Sequence, residues 1–137
     1  MTSDHPVILL VEDNELNLEL TVFLLEEAGA KVLPARDADE MREQLSRVIP
    51  DLVLMDIQLP GSDGLVLTGE IHQDPQTRNV PVIALTAHAM RGDRERFLAA
   101  GCKGYISKPI EVGSFVEEVY SFLPQLRKPE SGSRADS

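Results

Sequence analysis

Val7-Ile8-Leu9-Leu10-Val11 is an unbroken apolar run of strand length. A strand with one wet face alternates apolar and polar side chains, whereas a strand covered by helices on both faces of a parallel sheet does not need to. Working outward, similar runs recur at Lys31 to Ala35, Asp51 to Met55 (DLVLM), Val80 to Leu85 (VPVIAL) and Gly104 to Ser107. Helical patterns fill the gaps. In the first, Leu16, Leu20, Phe23 and Leu24 fall on one stripe that is expected to face a core, and Gly29 follows as a C-terminal cap. Asp37 to Arg47, Ser62 to His72 and His88 to Ala100 supply three more helices. The last is marked by Val112, Phe115, Val116, Val119, Tyr120 and Leu123 at helical spacing, and is expected to dock on the sheet. Five strand and helix pairs predict a doubly wound α/β domain with a five-stranded parallel sheet, spanning residues 1–123. Residues 124–137, PQLRKPESGSRADS, combine Pro, Ser, Gly and charge with almost no apolar residues, which predicts a disordered tail.

The 137 residues fit a single core, and no apolar run approaches the roughly 20 residues of a membrane-spanning helix, so a soluble protein is expected. Met1 to Pro6 lacks the basic start and apolar segment of a secretory signal, which points to the cytoplasm. A net charge of -10 disfavours nucleic acid and anionic lipid, because affinity for either rests on clustered Lys and Arg. Cys102 is the only cysteine, which excludes an internal disulfide and suits a buried, unreactive thiol. His5 and His72 have no motif around them and read as surface residues. Asn14 and Asn17 flank the start of the first helix, where a cap is the ordinary role and a polar site contact the alternative.

In an open parallel sheet, the ligand site lies beyond the carboxyl ends of the strands. Here those ends carry Glu12 and Asp13 after the first strand, Asp56 after the third, Thr86 after the fourth, and Lys108-Pro109 after the fifth. Any one of these is an ordinary loop residue; together they form a complementary set, with acids to hold a cation and a hydroxyl and an ammonium to donate to an anion. Carboxylates about 4 Å apart repel by about 4 kcal/mol per pair at an effective dielectric of 20, so a hard cation is needed, and Mg²⁺ suits all-oxygen ligands beside a phosphate. Asp56 is then placed to attack phosphorus in line and form an acyl phosphate, with Thr86 and Lys108 on the phosphoryl oxygens.

The ordered strings VEDNELN, MDIQLPGSDG, ALTAHAM and GYISKPI resemble the response-regulator receiver family over residues 7–123, especially single-domain regulators and receivers attached to hybrid histidine kinases. The resemblance implies a flavodoxin-like (βα)5 fold with strand order 2-1-3-4-5. It also implies that Asp56 is the phosphoacceptor, that Glu12 and Asp13 are the acidic pair at the metal, and that Gln58 supplies a backbone carbonyl ligand. Thr86 and Lys108 match the phosphoryl-binding hydroxyl and lysine, and Lys108-Pro109 the family's cis peptide. The implied function is that of a two-component phosphorelay protein that takes its phosphoryl group from a histidine kinase or histidine phosphotransfer protein, catalyses only its own phosphorylation and dephosphorylation, and signals through altered protein binding.

Alternation in the fifth strand puts Ile106 on one side and Tyr105 with Ser107 on the other. By resemblance Tyr105 and Thr86 are the switch, the ring turning inward as Thr86 moves toward the phosphoryl group and reshaping the surface of the fourth helix, fifth strand and fifth helix, where a downstream protein binds. The fourth helix suits this role, having few strong apolar residues and an interior Gly92, which costs roughly 1 kcal/mol against Ala. His88, two residues past Thr86, is either a lid over the phosphoryl group or a solvated histidine. Three competing readings remain. A Mg²⁺-dependent aspartate-nucleophile phosphohydrolase resembles its relatives in a second Asp two residues after the nucleophile, where this chain has Gln58. A flavodoxin-like nucleotide or flavin binder requires a Gly-, Ser- or Thr-rich loop after the first strand, where this chain has EDNELN. A phosphorylation-independent scaffold on the same fold is the third.

Overall fold

The computed structural model describes residues 5–87 and 92–123. The tail at 124–137 and His88 lie outside them. Five strands and five helices alternate: β1 Val7–Val11, α1 Glu15–Glu27, β2 Lys31–Ala35, α2 Ala38–Arg47, β3 Leu52–Asp56, α3 Gly64–Gln73, β4 Val82–Thr86, α4 Asp93–Ala99, β5 Gly104–Ser107 and α5 Phe115–Ser121. The strands form one parallel sheet in the order β2-β1-β3-β4-β5. Among the described residues, no helix is long and apolar enough to cross a membrane.

The apolar runs do not alternate because both sheet faces are covered. Leu9, Val11, Val53, Met55, Val82 and Ala84 point to a core closed by Met41 of α2, Leu67 and Ile71 of α3 and Phe97 of α4. The intervening Ile8, Leu10, Leu52, Leu54, Ile83 and Leu85 point to a second core closed by Leu18 and Leu25 of α1 and Phe115 and Val119 of α5. Truncating one such residue to Ala costs about 2–5 kcal/mol against a net stability of about 5–15 kcal/mol, so the fold depends on these central strands.

Several expectations need correction. The stripe of α1 that meets the sheet is Leu18, Thr21 and Leu25, while Leu16 is 77% and Phe23 59% exposed and Leu20 is also exposed. Counting apolar residues skips Thr21, which sits fully buried at the centre of the true stripe, and a leucine-rich helix offers several stripes at once. Asn14 marks the start of the helix, its side chain accepting from Asn17 N at 2.9 Å. Gly29 follows the helix with φ 100°, as a C-terminal glycine should. α5 begins only at Phe115, after a turn in which Ser114 N and Phe115 N donate to Glu111 O, so Val112 precedes the helix and is exposed. Asp37 and Asp63 are caps rather than helical residues, accepting from Glu40 N and Leu65 N. Gly92 is not interior to α4 but stands at its N-terminus with φ 92°, a conformation that side-chain-bearing residues avoid. Asp56 and Thr86 are the last residues of their strands, not the first beyond them.

The outer edge of β2 is interrupted at Pro34. Lys31 N donates to Pro6 O, and Glu12 N donates to Ala35 O, so alternation turns the backbone groups of Pro34 away from β1. Pro34 has no N–H to offer, and its carbonyl already accepts from Gln44 Nε2 at 2.9 Å.

Candidate functional site

The strand register assembles the site. Val11 pairs with Met55 and Asp56 with Leu85, so the residues following β1 meet the end of β3. One oxygen each from Glu12, Asp13 and Asp56 lies within 4.8 Å of the others. Glu12 and Asp56 are buried, 1% and 3% exposed, whereas Asp13 faces solvent. β5 brings Lys108 from the other side, its Nζ 3.0 Å from Glu12 Oε1 and 3.2 Å from Asp56 Oδ2. The Lys108-Pro109 bond is cis, as expected, and Lys108 N donates to Thr86 O at 2.8 Å.

Each buried acid is oriented by a backbone amide two residues on. Asn14 N donates to Glu12 Oε2 at 3.0 Å, and Gln58 N donates to Asp56 Oδ1 at 2.9 Å. Glu12 Oε1 is left with a charge contact only, because the ammonium lies close but off the direction of a hydrogen bond, and no other donor is directed at it among the described residues. Burial pushes the Glu12 carboxyl above its ordinary value, against the pull of Lys108 and of the Asn14 amide. Burial draws Lys108 down, but contact with Glu12 and the charge of Asp56 outweigh it, and the net direction is upward. Three carboxylates and one ammonium sum to a charge of -2 when all are ionised. An all-oxygen donor set of that charge, with one buried oxygen lacking a directed proton, fits a hard divalent cation.

A cleft of about 510 Å³ opens over the acids, lined by Glu12, Asp13, Asn14, Asn17, Asp56, Gln58, Ala87, Lys108 and Pro109 among the described residues. A larger cavity of about 650 Å³ adjoins Lys108 between β5 and α5; it is lined by Glu111 and Glu118, but among the described residues the three clustered acids are Glu12, Asp13 and Asp56, so the chemistry belongs to the smaller cleft. The structure thus brings together Glu12, Asp13, Asp56, Gln58 and Lys108. Thr86, 2% exposed, closes β4 beside Ser107 and leaves the nearby cleft wall to Ala87. Tyr105 is half-buried against the α3 and α4 side of the sheet, its ring edge-on to Phe97 with centroids 5.8 Å apart.

Asn14 caps the helix by accepting from the Asn17 amide and also lines the cleft, so its two roles coincide, whereas Asn17 is a helical residue that lines the cleft. Cys102 is buried, as expected. His72 departs from the surface reading, being half-buried with Nε2 3.2 Å from Val80 O. His5 is exposed, its Nδ1 2.7 Å from Gly29 O. Ala87 in the cleft wall, and the orienting amides of Asn14 and Gln58, went unread in the sequence because backbone groups and small side chains leave no chemical signature there.

The response regulator receiver domain family matches residues 8–120. The polar-differentiation response regulator DivK of Brucella anthropi is 46% identical over 116 residues, covering 85% of this chain and 94% of that protein. A crystal structure of the receiver domain of a Pseudomonas aeruginosa sensor histidine kinase, with magnesium coordinated in its active-site cleft, is 36% identical with a TM-score of 0.77, covering 86% of this chain and 97% of that one. The chemotaxis protein CheY4 of Vibrio cholerae, 20% identical with a TM-score of 0.82 and coverage of 87% and 99%, shares the fold.

Proposed function

Because this chain belongs to the response regulator receiver domain family, we propose that it accepts a phosphoryl group on Asp56 from a histidine kinase or histidine phosphotransfer protein, and signals through altered protein binding. The observation that carries this reading is the convergence of Glu12, Asp13 and Asp56 oxygens within 4.8 Å, with Lys108 Nζ 3.2 Å from Asp56. Glu12, Asp13, Asp56 and the Gln58 carbonyl would hold Mg²⁺, which neutralises the acids and the incoming phosphate.

Asp56 Oδ2 attacks phosphorus as the bond from phosphorus to the donor nitrogen breaks, and the imidazole leaves with the bonding electrons. Gln58 N–H fixes Oδ1, so the other oxygen is the one presented. Lys108 passes from its contact with Asp56 to the phosphoryl oxygens, and the Thr86 hydroxyl donates to them. Thr86 and Tyr105 then act as the switch. The packing of Tyr105 on Phe97 of α4 supports an output surface on α4, β5 and α5. The exposed Leu16, Leu20 and Phe23 of α1 form an apolar rim running back from the cleft, suited to a protein that must bring a phosphohistidine to Asp56. The chain acts as a signalling protein of the cytoplasm rather than a turnover enzyme, and Gln58 in place of a second Asp argues against a phosphohydrolase. Mass spectrometry after incubation with acetyl phosphate and Mg²⁺ tests the reading. One phosphoryl group is expected on the native chain and none on Asp56→Ala; equal labelling of both, or of neither, refutes it.

A further inference from the structure

Gly64 begins α3 without a left-handed backbone, so its lack of a side chain answers a need for space rather than for an unusual φ. A Cβ there would stand 2.5 Å from Asp56 O, 2.8 Å from Ile57 Cα and 3.2 Å from Asp56 C. All three are backbone atoms, and no rotamer change relieves them. The first turn of α3 is therefore seated directly on the peptide that follows the phosphoacceptor.

Both partners in this contact are held. Gly64 N donates to Ile57 O at 3.3 Å, and Ile57 N donates to Leu85 O at 3.0 Å, tying the segment to β4. On the helix side, the fully buried Thr68 donates its hydroxyl to Gly64 O at 2.9 Å, and Leu67 and Ile71 anchor the helix in the core. Between the two ends of this clasp lies the turn carrying Gln58, whose amide orients Asp56 Oδ1.

We propose that Gly64, clamped by Thr68, is a positioning residue for the reaction at Asp56, its bare Cα setting where the carboxylate and the Gln58 amide stand. The inference rests on reading Asp56 as the phosphoryl acceptor. Restoring a contact of 3.0 to 3.4 Å from 2.5 Å moves helix and strand end apart by about 0.5–0.9 Å. Displacements near 1 Å in a reacting group cost about 100-fold in rate. Gly69, on the same helix, has nothing within 4 Å of its ideal Cβ, which makes Gly69→Ala a matched control.

The test uses the full chain with acetyl phosphate and Mg²⁺, following phosphorylation rate, the Gln58 amide resonance in a proton–nitrogen correlation spectrum, and the urea midpoint. Gly64→Ala is expected to slow phosphorylation about 10- to 100-fold and to shift the Gln58 amide while remaining folded at the assay temperature, with Gly69→Ala matching wild type. A Gly64→Ala protein with an unmoved Gln58 amide and a rate within about twofold of wild type overturns the inference. Should Gly64→Ala not fold, Thr68→Val, which removes the clamp at similar volume, carries the test: a shifted amide supports the inference and an unmoved one overturns it. If wild type takes no phosphoryl group, the receiver reading fails, and the Gln58 amide alone still decides whether Gly64 positions Asp56.

Discussion

Replacing Asp56 by Asn should make the protein more stable without divalent ions and less responsive to them. Glu12, Asp13 and Asp56 oxygens lie within 4.8 Å, and at an effective dielectric of 20 the Glu12–Asp56 pair repels by about 3.5 kcal/mol. Asp13 is exposed, so solvent screening reduces its share to about 1 kcal/mol. Lys108, 3.2 Å from Asp56, returns about 5 kcal/mol at the same dielectric. The Coulomb terms nearly cancel. What remains is the cost of taking a carboxylate out of water, several kcal/mol, partly offset by the Gln58 amide bond at about 1.5–3 kcal/mol. Asn carries no charge to desolvate and can still accept from Gln58, so Asp56→Asn is expected to gain about 1–2 kcal/mol in EDTA. With a urea slope of about 1–3 kcal/mol per M, the midpoint should rise by about 0.5–1 M. Mg²⁺ at a hundred times its dissociation constant would stabilise wild type by about 2.7 kcal/mol, and the variant far less, which closes or inverts the gap. Urea melts of both proteins, in EDTA and in excess MgCl₂, measure all four values. A variant less stable than wild type in EDTA, or an equal Mg²⁺ gain in the two proteins, would refute the electrostatic reading of the site.

Three further expectations follow from the same geometry. Lys108→Ala leaves Glu12 and Asp56 buried without their cation and should cost about 3 kcal/mol in EDTA, much of it recovered in Mg²⁺; a loss unaffected by Mg²⁺ in urea melts would show that packing rather than charge is at stake. Phe23→Ser changes a side chain 59% exposed and should alter stability by less than about 0.5 kcal/mol, leaving acetyl phosphate labelling intact but slowing transfer from a phosphohistidine protein. Equal transfer rates would remove α1 as the docking rim. Burial pushes the Cys102 thiol upward, which lowers the thiolate fraction at any given pH, so maleimide labelling at mildly alkaline pH should be slow in the native protein and fast in urea. Rapid native labelling contradicts the burial.

The sheet was legible because its central strands are covered on both sides, and continuous runs such as Ile8 to Val11 and Leu52 to Met55 leave no other assignment. The acids and Lys108 were legible because strand ends are where a parallel sheet collects its chemistry. Helix faces were less so. Thr21 hides the inner stripe of α1, and the turn at Glu111 displaces Val112 from α5. Gly92 marks the start of α4, although composition suggested its interior, because only its φ of 92° tells a cap from a helical glycine. Gly64 closes the quoted string MDIQLPGSDG, yet its role was not legible: the need for an absent side chain arises from the approach of β3 and α3, which only the fold shows.

The interruption at Pro34 in the margin of β2 bears on how copies of this protein can meet. A stray extended peptide finds no donor at Pro34 and an acceptor already engaged by Gln44, so its hydrogen-bond ladder is interrupted there, which disfavours strand-by-strand growth, the route to fibrils and swapped ribbons. A single proline thus makes that border a poor template for another copy of the chain.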